Sequence, residues 1–210
     1  MRVIKEAAER KNEILDAAES LFIAKGYENT TINDILSATD IAKGTFYYHF
    51  KSKTEVLDGM IKRRGDRNID AAKAIVGTDK MNAAEKLLSI MFAQKPGNEH
   101  QEQLIAVLEN AENSRMFVKS LTDILDRLAP IVGDVVTQGV TEGLFSTPFP
   151  RESAEILLAA AHSLFDNPDL RWTQDEMREK IAAFLTAAER IIGTAPGTFS
   201  AMTQLFGTER

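Results

Sequence analysis

The sequence predicts an all-α protein. Apolar residues recur at three- and four-residue intervals through most of the chain, no long strand-like alternation appears, and there is no Asn-Gly or Asp-Gly hairpin signal. A chain of 210 residues, 44% hydrophobic and 27% charged, can bury a real core. That length has room for a small domain followed by a larger one.

The elements follow in order. Ile14, Ala18, Leu21 and Phe22 mark one face of a first helix, which Gly26 ends. Thr31 to Asp34 reads as a capping box with Asp in place of Glu, and Ile32, Ile35 and Leu36 follow as its buried face. A turn at Thr39-Asp40 leads to a short helix within 42–49, where Phe46 and Phe50, four apart, point inward together. Ser52 to Glu55 reads as a second capping box. It opens a helix over 53–76 with Val56, Leu57, Met60 and Ile61 on one side, closed by Gly77-Thr78-Asp79. Lys62, Arg63, Arg64 and Arg67 decorate this helix, mainly as a solvated face.

Helical stretches over 80–95 and 100–112 are parted by Pro96-Gly97-Asn98. A long periodic segment from Phe117 to Glu142 contains Pro130, which should kink or break it. Gly143 and the run Ser146–Pro150 form a loop. Two strong helices, 151–166 and 174–192, close the body, and the tail from Thr194 carries at most a short helix near Phe199–Leu205. The predicted organisation is a head over 1–52 and a body over 53–210, linked by the helix 53–76 without a flexible linker.

Charge and composition exclude several classes. The net charge of −6 is uneven: residues 1–65 hold 11 Lys+Arg against 10 Asp+Glu, and the rest hold 14 against 21. A near-neutral head on an acidic body suits a protein that meets phosphate at one end. With no cysteine there is neither disulfide nor thiol redox chemistry. No apolar run approaches a membrane span and no signal-peptide core is visible, so a cytoplasmic location and no membrane partner are expected. None of the three histidines follows a Glu by three residues, and zinc-protease, nucleophile-elbow and P-loop patterns are missing. The expectation is no enzyme activity, no metal and no cofactor.

Two short helices joined by a tight turn, with a third packed behind, form a helix-turn-helix, whose second helix can enter a major groove. Here that helix carries Lys43-Gly-Thr-Phe-Tyr-Tyr-His49, an odd composition for a purely structural helix. Gly44 lets a backbone approach closely, and Lys51 and Lys53 follow at the next helix start. Gly26-Tyr27, Thr30-Thr31, Ile35 and the run Lys43-Gly-Thr-Phe-Tyr-Tyr-His-Phe-Lys-Ser-Lys53 resemble the DNA-binding domain of the TetR/AcrR repressor family over residues 9–60. The resemblance implies that Thr31 and Lys53 hold phosphates. It implies that Tyr47, Tyr48 and His49 contact the DNA backbone, and that Lys43, Gly44 and Thr45 face the bases. Two residues depart from the family pattern. Asp40 stands at the usual turn glycine, and Ala42 replaces the serine that would cap the recognition helix.

In the body, the last helices carry complete apolar stripes, including Leu158, Phe165, Ile181, Phe184, Leu185 and Ala188. By composition these are either buried within one chain or form a four-helix interface between two. The resemblance implies a homodimer through them. It also implies a pocket for a small apolar or amphipathic effector, with Leu88, Met91, Phe92, Leu104, Leu108, Met116, Phe117, Leu121 and Val135 as candidate lining. His100 and His162 either orient a polar ligand group or are structural. The whole pattern implies a repressor of double-stranded, palindromic operator DNA released by its ligand. The alternatives are a DNA-binding regulator without an effector and a helical-bundle enzyme.

Overall fold

A computed structural model describes residues 7–94, 99, 100, 103, 104, 113–167, 170 and 172–200, with 113–116 described by backbone only. The described elements are helical: α1 (Ala7–Lys25), α2 (Ile32–Thr39), α3 (Lys43–His49), α4 (Lys53–Val76), α5 (Ala83–Ala93), α6 (Asn113–Asp123), a π-helical turn (Ile124–Leu128), α7 (Ala129–Thr141), α8 (Pro150–Phe165) and α9 (Gln174–Ile192). The chain divides into two compact units, 1–66 with 97–116 and 67–96 with 117–210.

The first unit closes around Ile14, Leu15, Ala18 and Phe22 of α1, Ile35 of α2, Phe46 and Phe50, and Val56, Leu57 and Met60 of α4. Phe46 and Phe50 do turn inward together, ring centres 6.1 Å apart. α4 passes close behind them, since a Cβ on Gly59 would sit 3.0 Å from the Phe50 ring and 3.1 Å from Leu15. Leu104, expected in the body's pocket, is 2% exposed within this core. Nearby, the Glu19 carboxylate binds Arg63 at 2.8 Å and His100 Nε2 at 2.8 Å, and Arg63 also reaches Asp16 at 2.6 Å. His100 is thereby occupied by a protein carboxylate.

The second unit has its own core, from Ile69 and Ala72 of α4 through Leu87, Ile90, Val132, Val135, Val136 and Ala154 to Ile181, Leu185, Ala188 and Ile192, with Phe145 and Phe199. Pro130 does not break the helix. The proline lacks an N–H, and its ring would strike the carbonyl four residues back. The five-residue π turn just before α7 widens the helix at that point, with Ala129 N–H donating to the Ile124 carbonyl. The Phe145 ring lies on Gly139, where a Cβ would be 2.0 Å away. The loop after α7 is tied down by Ser146 and Thr147 N–H groups donating to the Ile192 carbonyl at 3.1 and 3.0 Å.

Helix ends match the sequence signals with one shift. Gly26 is left-handed at φ +83°, and the Thr31 box forms with both bonds present. At Ser52 the box is displaced: the Glu55 N–H donates to Ser52 Oγ at 3.1 Å, but the Glu55 carboxylate takes the Lys51 N–H instead of that of Ser52. Two further boxes, Asn82 with Glu85 and Thr173 with Glu176, start α5 and α9. The break at 96–98, most of the helix expected over 100–112 and the short helix after Ser200 lie outside the described residues.

Candidate nucleic-acid interface

The candidate surface begins at the N-terminus of α2. Thr31 caps the helix, with its hydroxyl accepting from the Asp34 N–H at 3.2 Å, while Asp34 Oδ2 accepts from the Thr31 N–H and hydroxyl, each at 2.7 Å. Lys25 pairs with the same carboxylate at 2.8 Å. Lys25 and the two Thr31 donors hold the Asp34 carboxyl far below the usual carboxylate range. Thr31 itself is exposed at the helix start, where unpaired backbone N–H groups favour anions.

The turn to α3 keeps its shape without glycine. Asp40 takes φ 49°, ψ 42° as the C-cap of α2, and its N–H donates to the Leu36 carbonyl. Asp visits this left-handed region more readily than most residues do. Ala42 stands at the N-cap of α3 and makes no side-chain cap bond.

Helical spacing then sorts α3 into strips. Phe46 is 0% exposed and Phe50 1%, so that strip is the anchor. Thr45 and His49, four apart, are half-buried. Lys43 and Tyr47 share an exposed strip, with Lys43 Nζ 5.9 Å from the Tyr47 ring centre. Gly44 and Tyr48 share the most open one: Tyr48 is 74% exposed, and a Cβ on Gly44 would meet nothing within 4 Å. A helix this short, fixed by two buried phenylalanines, therefore presents aromatic hydroxyls, an ammonium and a notch to solvent. Burial, then the charges of Lys11 and Arg10 on α1, lower the His49 pKa, so its imidazole is neutral near pH 7. Lys11 and Arg10 were not singled out from the sequence. Only the packing of α1 beside α3 brings them to this surface. Lys51 Nζ donates to the Tyr47 carbonyl at 3.1 Å, and the Lys53 ammonium is engaged with carbonyls of the turn after α1.

The body candidates are dispersed. Leu88 and Met91 are half-buried against the second core, Val135 is inside it, Leu121 is half-buried and Phe92 is 44% exposed. Phe117 stacks on His162 at 4.5 Å and 12°. Leu108 and the side chain of Met116 lie outside the described residues. His162, 4% exposed, has Nδ1 3.0 Å from Asp166 Oδ2 and Nε2 3.2 Å from the Phe117 carbonyl, so both nitrogens face protein acceptors. Of the stripe expected between two chains, Ile181, Leu185 and Ala188 turn into the chain's own core. Leu158, Phe165 and Phe184 are half-buried, the two rings meeting edge to face at 5.5 Å. The open face of α9 is instead Ala182, Ala183, Thr186, Ala187, Arg190 and Ile191, which line a shallow concavity.

A short exposed helix held on a compact helical unit behind a left-handed turn defines a helix-turn-helix DNA-binding protein. Comparison with known proteins agrees. Residues 14–60 match the family described as bacterial regulatory proteins, tetR family, and residues 96–187 match the tetracyclin repressor-like C-terminal domain. The chain is 27% identical over 147 residues to the HTH-type transcriptional repressor KstR2 of Mycobacterium tuberculosis, covering 69% of this chain and 73% of that protein. It is 24% identical over 143 residues to the fatty acid metabolism regulator protein of Bacillus subtilis, covering 67% and 73%. A TetR-family regulator structure from Syntrophomonas wolfei superposes with a TM-score of 0.61 at 22% identity, covering 98% of both chains. The chain belongs to the TetR family of transcriptional regulators.

Proposed function

We propose that this protein is a homodimeric repressor that grips a palindromic operator with α3 in the major groove and is released by a small molecule. The carrying observation is the Gly44–Tyr48 strip, an open notch beside a 74% exposed tyrosine on a helix fixed from behind. Lys43, Gly44 and Thr45 face base edges, and Thr31, Tyr47, Tyr48 and His49 meet the phosphate backbone. Two copies place their recognition helices about 34–36 Å apart, one turn of DNA. The functional division is a DNA-binding head over 1–52 and an effector and dimer body over 53–210.

An apolar or amphipathic effector suits the body, where Leu88, Met91, Phe117 and Leu121 remain the candidate lining. A relative named for fatty acid metabolism supports the same chemistry. Release is a population shift: the effector favours an arrangement of the dimer whose heads do not match the groove spacing, and α4, which supplies residues to both cores, carries the change. The test is selection from random duplexes at stated salt, followed by sequencing. Recovery of a palindrome with half-sites about one turn apart is expected. Absence of any enriched sequence, with no binding even at low salt, sinks the reading. The recovered operator then serves to screen apolar and amphipathic compounds for release.

A further inference from the structure

His100 and His162 turn ring nitrogens toward protein acceptors. His49 has no hydrogen-bond partner among the described residues. Its half-buried ring stands edge-on to that of Tyr48, centres 4.9 Å apart. The charges acting on it are those of Lys11 and Arg10 on α1, and both are positive. Arg10 is already held by Glu13 at 2.6 Å. Lys11 is exposed and has no carboxylate partner among the described residues, and its Nζ lies 5.5 Å from the centre of the Phe50 ring. Phe50 follows His49 directly and is 1% exposed, so α1 and the end of α3 meet around a fixed ring.

Among the described residues this corner sets an imidazole near a free ammonium with no carboxylate on either. An ammonium only donates hydrogen bonds, and an imidazole donates from both nitrogens once protonated. Within the protein, burial and the two cations oppose that protonation. A phosphate lodged in the corner reverses the balance, because a nearby negative charge favours the charged form. We propose that Lys11 and His49 form one phosphate site between α1 and α3, which His49 completes by taking up a proton when the operator binds. The operator contact then reaches past α3 to α1. This rests on the DNA-binding reading above. The sign follows from linkage: the complex holds a proton that the free protein lacks, so affinity rises as pH falls.

The experiment is operator binding by the full chain across a salt series, at about pH 8 and at about pH 6, for the wild type, Lys11→Gln and His49→Gln. The wild type is expected to bind up to about tenfold tighter for each pH unit lowered. Its slope of log K against log salt is expected to steepen by up to about 0.9, the mark of one further neutralised phosphate. His49→Gln is expected to lose both changes. His100 and His162 remain in every protein, so the difference between wild type and His49→Gln isolates His49. Lys11→Gln is expected to lose about 0.9 from the slope at the higher pH, where His49 is neutral. Equal pH dependence in wild type and His49→Gln overturns the proposal, and so does a wild-type salt slope in Lys11→Gln. If His49→Gln does not fold, the wild type decides: a steeper salt slope at the lower pH supports the proposal, and equal slopes overturn it. If the wild type itself binds no DNA at either pH, the functional reading has failed and not merely the roles of Lys11 and His49.

Discussion

Gly44 has no reason inside the chain to be glycine. Its φ is ordinary and a Cβ there would enter open space. Alanine is the better helix former, by roughly 0.5–1 kcal/mol in a helix interior and by less at the second residue of α3. Gly44→Ala is therefore expected to raise the melting temperature while, on the proposed docking of α3, weakening operator binding, because the added methyl would fill the space proposed for a base edge. Thermal unfolding and DNA titration on the same sample check the two opposite signs, and a variant that binds as well as wild type refutes the role. Tyr48→Ala is the companion case. A side chain 74% exposed is worth within about ±0.5 kcal/mol to the fold, so a near-normal unfolding midpoint with lost DNA binding is expected. These positions could be read from the sequence because an eight-residue stretch fixes their strips by spacing alone. Lys11 and Arg10 could not, because their place near His49 depends on how α1 packs, which no local pattern encodes.

At the scale of elements, the join between α6 and α8 carries a charge-dependent clasp. A neutral imidazole has one N–H, yet His162 faces two acceptors. Burial opposes its charge, but the Asp166 hydrogen bond, the Phe117 carbonyl and the Asp166 charge outweigh that, and the pKa is raised above 6.5. A raised folded-state value gives stability that is complete below the unfolded pKa and is lost as pH rises through the folded one. The urea midpoint of the wild type should therefore fall relative to that of His162→Gln as pH increases from 6.5 upward. Parallel curves for the two proteins would refute the clasp. A second element-scale test is Gly139→Ala. Its Cβ would drive into the Phe145 ring, so a loss of about 1–3 kcal/mol is expected by urea unfolding. Helix starts were legible wherever a capping box stood at a glycine or polar break, as at Thr31. The boxes at Asn82 and Thr173 carry the same spelling and were readable, though only the structure drew notice to them. The π turn was half legible: Pro130 announced a disturbance, while the way the helix absorbs it depends on neighbours along the chain.

For the whole molecule, two cores and a helix contributing to both were foreseeable from the apolar stripes. The assignment of Leu104 was not. Its apolar side chain fits any core, and sequence distance favours the body, but it is 2% exposed in the core built by α1 to α4. Leu104→Ala should cost about 2–5 kcal/mol, and hydrogen exchange should register the loss in residues of α1 and α3 more than in α8. Faster exchange confined to the second unit would place Leu104 wrongly. The stripe on α9 shows the same limit. A broad apolar helix must bury several faces, and only the folded chain reveals that Ile181 and Leu185 turn inward while Ala183 and Ala187 stay open.

The first unit is written in two pieces, 1–66 and 97–116, with a stretch of the second unit between them. Regulators of this architecture invite recombination, in which the DNA-reading end of one is spliced to the sensing end of another. In this chain a single splice at the end of α3 would hand the incoming part a Leu104 and a His100 matched to a different α1. A transplant that trades operators cleanly must carry His100 and Leu104 along with its own head, or redesign Glu19 and the core that receives Leu104. Drift in those few side chains would then mark how freely lineages have exchanged their two ends.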